Sequence, residues 1–246
     1  MRILDNYTLA IDLSTPLSTD TLAASSRGRL IEKGRCPNFN LPAHWPDEAN
    51  QTVFVYGGEY SYLNPWVGPS TVPPEELWAF TPEGGGSWNT IDQSFDSVFS
   101  TLTRPSYGGF SYGSVGGFYF GGKHGSRGSQ KTNIGGYTAA PGLQFYNFTD
   151  QSWMNASSSG FYAGTYLSQS GGLQYVPSWG QSGILVALGG QDFYTTQFFS
   201  WSNITIFDPA TQQWYSQTAA GDIPDARWTY CNVGVGSTSR NGTYGQ

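Results

Sequence analysis

Charge is scarce in this chain. Only 11% of its 246 residues are Asp, Glu, Lys or Arg, and 11 basic against 17 acidic side chains leave a net charge of −6. No basic cluster collects phosphates, so nucleic acid is not an expected partner. No apolar run approaches the roughly 18 residues of a membrane helix. No membrane segment is therefore expected within the chain, which leaves an anchor beyond it open. The N-terminal Met1-Arg2-Ile3-Leu4-Asp5-Asn6 lacks the apolar core of a signal peptide. Histidine is limited to His44 and His124. A copper or zinc centre needs several His or Cys ligands converging, so neither a metal nor a cofactor is expected. The two cysteines, Cys36 and Cys231, could pair in an oxidising compartment if the fold brought them together. Gly84-Gly-Gly86 lacks the Lys-Ser/Thr of a phosphate loop and reads as a turn. Good helix formers are few, and no window of helical length carries apolar residues at three-four spacing with suitable caps.

Aromatics, glycine and proline are abundant. Aromatic residues make up 16%, beside 33 Gly and 14 Pro. That balance predicts many short strands joined by turns. Six N-x-Ser/Thr sequons begin at Asn6, Asn50, Asn147, Asn155, Asn203 and Asn241. They point to a glycosylated chain of the secretory pathway, extracellular or at the cell surface, with its signal peptide missing from this sequence. Turn-forming use of Asn, Ser and Thr is the competing explanation.

Repetition is the main signal. Thr52-Val-Phe-Val-Tyr-Gly-Gly58 is followed by a loop, Glu76-Leu-Trp-Ala-Phe80 and Trp88. Gly117-Phe-Tyr-Phe-Gly-Gly122 leads to Leu143-Gln-Phe-Tyr-Asn147 and Trp153, and Ile184-Leu-Val-Ala-Leu-Gly-Gly190 leads to Ile204-Thr-Ile-Phe-Asp208 and Trp214. Each apolar run reads as a strand buried on both faces. Each glycine pair ends that strand where backbone turns or approaches a neighbour. The following alternating run is a third strand, closed by turns such as Asp208-Pro209 and Asn147-Phe-Thr-Asp150. The Trp opens a fourth strand and lies across the neighbouring sheet. The first strand of each unit is the Gly- and aromatic-rich stretch ahead of the apolar run, as in Tyr107–Tyr112 and Tyr166–Tyr175.

This pattern resembles the kelch repeat. The matching residues are the glycine pairs, the aromatics Phe80, Tyr146 and Phe207, and Trp88, Trp153 and Trp214. The resemblance implies an all-β fold, a kelch-type β-propeller of four-stranded antiparallel blades, incomplete in this chain. Long loops after the glycines are similar to those of secreted or cell-surface kelch proteins of fungi. Blades are expected at 35–91, 105–156 and 160–217, with partial blades at 1–22 and 226–246. Joining the two ends into a fourth blade is the alternative to a longer chain.

Antiparallel order puts the loops 59–75, 123–142 and 191–203 on the face that also carries the blade-to-blade connections. Long loops on one face are where function concentrates. The candidate ligand-binding residues are Glu59, Tyr60, Tyr62, Trp66, His124, Arg127, Asp192, Phe193, Tyr194 and Trp201. Flat aromatics beside amides, hydroxyls and carboxylates suit a glycan or protein ligand. They also suit small cores that pack large loops onto the blades. The leading expectation is a non-catalytic extracellular binding module. The alternative is a secreted carbohydrate-active hydrolase or oxidase whose site further blades complete. Glu59 and Asp192, both beside a glycine pair, could face one central opening as a carboxylate couple, with His124 nearby. Some kelch propellers resemble galactose oxidase, but its second His and suitably placed Cys have no counterpart here, so no catalytic residue is assigned.

Overall fold

A computed structural model describes residues 7–11, 28–61, 71–129, 131, 136–140, 142–156 and 168–234 of the chain. The first strand, β1 (Tyr7–Ile11), pairs antiparallel with β2 (Gly28–Glu32). Blade I comes next: β3 (Phe39–Asp47), β4 (Thr52–Tyr60), β5 (Leu77–Thr81) and β6 (Ser87–Ile91), in that spatial order. Blade II is built from β7 (Gly109–Gly113) and β8 (Gly116–Phe120). A small ribbon of β9 (Lys123–Gly125) and β10 (Tyr137–Ala139) leads to its outer strands β11 (Leu143–Asn147) and β12 (Trp153–Ala156). A short β13 (Ser168–Gln169) precedes β14 (Gly172–Val176) and β15 (Ile184–Leu188) of blade III. Then come β16 (Gln191–Asp192), which pairs with β13, and the outer strands β17 (Asn203–Asp208) and β18 (Gln213–Thr218). Each blade is a four-stranded antiparallel meander.

The turns have local causes. Asp208 Oδ1 accepts from Ala210 N at 2.9 Å, and Asn147 Oδ1 accepts from Thr149 N at 2.8 Å, each side chain closing its own turn. The innermost strand β7 lies beside both β3 and β14, so the blades radiate from one axis. The core sits between the blades. One aromatic cluster joins blade I to blade II through Trp45, Phe54, Tyr56, Tyr146 and Trp153. A second joins blade II to blade III through Phe118, Phe120, Tyr175, Leu185 and Phe207. The tryptophans behave as expected: Trp153 packs 4.7 Å from Tyr56 of blade I, and Trp214 packs 5.2 Å from Phe120 of blade II. Trp88 donates its indole N–H to Thr8 of β1 at 2.9 Å.

Three expectations need correction. The glycine pair ends its strand in blades II and III, where β8 stops at Phe120 and β15 at Leu188, but in blade I β4 runs through Gly57–Gly58; pairing resumes after Gly122 and Gly190 in β9 and β16. A helix does form, α1 (Ser97–Thr101), short enough to escape a periodicity search and capped by Asp96, which accepts from Val98 N and Phe99 N. The N-terminal strand finds its partner at 28–32, beyond the limit expected for that partial blade. The pairing of Cys36 with Cys231, left open by the sequence, does not occur: both are free thiols, the first buried and the second exposed.

Candidate functional site

The loop face is shaped by one backbone device used repeatedly. All six residues of the glycine pairs have positive φ, from +53° at Gly189 to +92° at Gly190. A side chain on Gly57 would bring its Cβ 2.7 Å from the Pro105 carbonyl oxygen, and one on Gly122 would bring it 2.3 Å from that of Ser106. Only glycine fits both the conformation and the approach. Opposite the pairs, where each inner strand begins, stand Leu41, Tyr107 and Ser170, with φ of 56°, 62° and 54°. Thr229, at 56°, occupies the corresponding place beside blade III. Tyr107, Ser170 and Thr229 are held by one another: Ser170 N donates to Tyr107 O at 2.6 Å, and Thr229 N donates to Ser170 O at 3.1 Å. Residues 229–234 thus run along blade III where a further inner strand would lie, with Asn232 Nδ2 donating to Leu173 O at 3.3 Å.

The residue after each glycine pair differs: Glu59, Lys123 and Gln191. Between blades I and II these positions meet. Glu59 is 1% exposed; its Oε2 accepts from the Tyr137 hydroxyl at 3.3 Å, and its Oε1 is buried without a partner among the described residues. The Lys123 ammonium stands 4.1 Å from the ring centres of both Tyr107 and Tyr137. Burial lowers the Lys123 pKa, and the Glu59 charge opposes that shift. Tyr60 N donates to Arg127 O at 2.7 Å, while the Arg127 guanidinium donates to Ser61 O at 3.2 Å, so the loops of the two blades are tied. Half-buried His124 has its pKa lowered by burial, against the charge of Glu75. Beneath lies Arg104, 2% exposed, its guanidinium 4.4 Å from the Phe39 ring centre and donating to the carbonyls of Pro73 and Pro74. Burial lowers its pKa to about 10, against the charges of Glu75 and Glu76.

The third loop makes a separate cluster. Asp192 is 2% exposed, and its Oδ1 accepts from Tyr194 N, Thr195 N and the Thr195 hydroxyl, closing a turn. Tyr194 is exposed, as are Phe198 and Trp228, whose rings stack 6.5 Å apart. Phe193 packs edge-on to Tyr194, and Trp201 packs 4.7 Å from Tyr230.

The ten candidates therefore divide. Glu59, Tyr60, His124 and Arg127 gather between blades I and II. Asp192, Phe193, Tyr194 and Trp201 gather beyond blade III. Tyr62 and Trp66 lie outside the described residues. Glu59 and Asp192 do not share a central opening: Glu59 is buried against Tyr137 of the second loop, and Asp192 is buried in its own turn. Neither lines the axial cleft of about 700 Å³, whose walls include Leu41, Phe110, Tyr112, Gln174 and Asn232. Tyr107 and Trp228 join these clusters without having stood out in the sequence. Tyr107 sits in the Arg104-Pro-Ser-Tyr107 junction, and that placement beside a glycine pair was its available signal. Among the sequons, Asn50, Asn155 and Asn203 are exposed, Asn147 is half-buried in its turn, and Asn6 and Asn241 lie outside the described residues.

No family model matches the chain. A kelch repeat-containing protein of Arthroderma benhamiae is 31% identical over 93 residues, which is 37% of this chain and 14% of the relative. The solved structure of YjhT, a kelch-type propeller, is similar at a TM-score of 0.52 and 10% identity, covering 87% of this chain and 52% of that one. The four-stranded sheets are thus blades of a kelch-type β-propeller. The chain spans about half the length of YjhT and a small part of the fungal relative.

Proposed function

We propose that this chain is an extracellular binding module, without catalysis of its own, that engages a glycan or protein ligand through its loop face. The observation that carries this reading is the contrast between a repeated frame and unrepeated contents. The same glycine-pair bend presents Glu59, Lys123 and Gln191 in turn, and exposed Tyr194 and Phe198 come after it on the last loop. A fixed frame with variable loops is how propellers and other rigid scaffolds carry binding. Aromatic planes among hydroxyls and amides suit partners that stack and hydrogen-bond. The involvement of Asp192 in its own turn argues against a paired-carboxylate hydrolase. The exposed sequons at Asn50, Asn155 and Asn203 support passage through the secretory pathway.

The test is a screen of the secreted, purified chain against immobilised glycans and against extracellular proteins. Any ligand found is then measured with Tyr194→Ala/Phe198→Ala and, as an opposite-face control, with Ala49→Ser. Loss of binding in the first variant alone supports the reading. Equal loss in both, or binding that survives the loop variant and a matching Tyr60→Ala change, sinks it. A glycosidase digest that leaves the mass of the secreted chain unchanged would remove the extracellular part of the proposal.

A further inference from the structure

We propose that Tyr107, Tyr137 and Glu59 form a cage for the ammonium group of a small cationic ligand, and that Lys123 fills this cage from within. Two aromatic faces and a carboxylate are the donor set that recognises alkylated ammonium ions. Here the Lys123 Nζ lies 4.1 Å from each ring centre. Beside them, near enough for its charge to act on Lys123, is the Glu59 carboxylate; its Oε2 accepts from Tyr137 and its Oε1 is buried with no donor among the described residues. A buried carboxylate oxygen left without a donor is costly, so the site gains by drawing positive charge towards it.

Lys123 acts as a tethered guest and not as part of the frame. Its backbone is fixed on both sides by Ser106, with N–H···O distances of 2.7 and 2.8 Å. The strand therefore keeps its place whether or not the ammonium sits between the rings. The corresponding positions in the other blades carry Glu59 and Gln191, so the bend itself does not require a cation. Tyr137 is 41% exposed, which leaves one wall of the cage facing solvent. A ligand ammonium enters when the flexible lysine stem swings out, and Lys123 sets the threshold it must exceed. The cage lies on the loop face proposed above, but its test reads ammonium binding alone, so its failure leaves that wider reading standing.

The experiment is a titration of choline into the full 246-residue chain, monitored by NMR or calorimetry. It compares the native chain with Lys123→Ala and with Lys123→Gln, which keeps most of the stem should the alanine variant fail to fold. Emptying the cage is expected to tighten choline binding about tenfold. Adding Glu59→Gln is expected to abolish that gain. The uncharged isostere of choline, with carbon in place of the quaternary nitrogen, is expected not to bind. The proposal is overturned if neither folded Lys123 variant gains affinity, if the gain survives Glu59→Gln, or if the uncharged isostere binds equally well.

Discussion

The junction between blades I and II and the junction between blades II and III use the same device to different depths. In each, a tryptophan from the fourth strand lies across the preceding blade. At the first junction Trp153 is 6% exposed and touches Trp45, Tyr56, Phe99 and Tyr146 with ring centres 4.7 to 6.1 Å apart. Its indole N–H donates to Gln93 Oε1 at 2.6 Å, and its backbone N–H donates to Asp96 Oδ2 at 2.9 Å. At the second junction Trp214 is half-buried, against Phe120 and Phe207. At the first junction the segment from β6 to β7 carries Gln93, Asp96 and α1, which together close over Trp153. The repeat sets where each ring goes, and here the linker removes it from water.

The largest expected effect tests that contrast directly. Trp153→Ala is expected to cost about 4 kcal/mol of unfolding free energy, and Trp214→Ala about 2, because truncating a sealed ring leaves a larger cavity. Urea denaturation of the two variants measures both. Equal losses would mean that the linker contributes nothing to the first junction. Next is Asp96→Ala, which removes the cap of α1 and the acceptor for Trp153 N together, at about 2 kcal/mol. Asp96→Asn keeps an acceptor oxygen for the helix cap and is expected to recover roughly half of that. No recovery would mean that the Trp153 contact carries the whole effect.

The parts of this fold that could be read from the sequence are those with a steric cause that recurs. A glycine pair is visible because no other residue fits positive φ and a carbonyl 2.7 Å from where Cβ would be, as at Gly57. The tryptophans are visible because each stands across from the aromatic that precedes it, as Phe80 does from Trp88 and Tyr146 from Trp153. The left-handed Tyr107 and Ser170 were not legible, since they are held by a hydrogen bond between neighbouring blades and not by residue type, and neither was Leu41, which the register of β3 on β4 skips. The loop chemistry was half legible. Glu59 and Arg127 were recognisable as candidates from their place after a glycine pair. That Glu59 would meet Tyr137, 78 residues away, depended on how blade II docks on blade I. The charge on Asp192 suggested a site, and its position in a tight turn directed it inward to backbone N–H groups instead.

A smaller effect separates the polar seams of the two junctions. Tyr56 donates its hydroxyl to Gln144 Oε1 at 2.8 Å within the first, and Ser111 Oγ accepts from Tyr175 N at 2.8 Å within the second. Tyr56→Phe and Ser111→Ala each leave one buried partner unmatched, at about 1 to 2 kcal/mol. Similar values are expected, because this cost depends on burial of the orphaned group and not on the linker. A marked excess for Tyr56→Phe would show that the first junction is cooperative in its polar contacts as well as its apolar ones.

The last prediction moves to the opposite face of blade I, where β1 and β2 pack. Cys36 is 8% exposed there, clustered with Val55 and Trp78, while Cys231 is exposed beside the axial cleft. Burial, the largest influence, pushes the Cys36 thiol up from its ordinary 9.0 to about 12; Lys33 opposes the shift and Glu76 adds to it. The folded thiol thus keeps its proton at pH values where the unfolded one has lost it. The stability this gives is complete below pH 9 and is lost as pH rises towards 12. Because the thiolate is the reacting species, a disulfide reagent at a pH of about 8 is expected to consume one equivalent promptly at Cys231. The second equivalent, at Cys36, is consumed only as fast as the N-terminal junction opens. Thr8→Val removes the acceptor for the Trp88 indole and is expected to speed that slow phase by about fivefold, as loss of roughly 1 kcal/mol of local stability would. Trp214→Ala, at the far junction, is expected to leave it unchanged. A slow phase that responds equally to both substitutions would show that Cys36 is exposed only by unfolding of the whole stack of blades, and the junctions would then have to be treated as one cooperative unit.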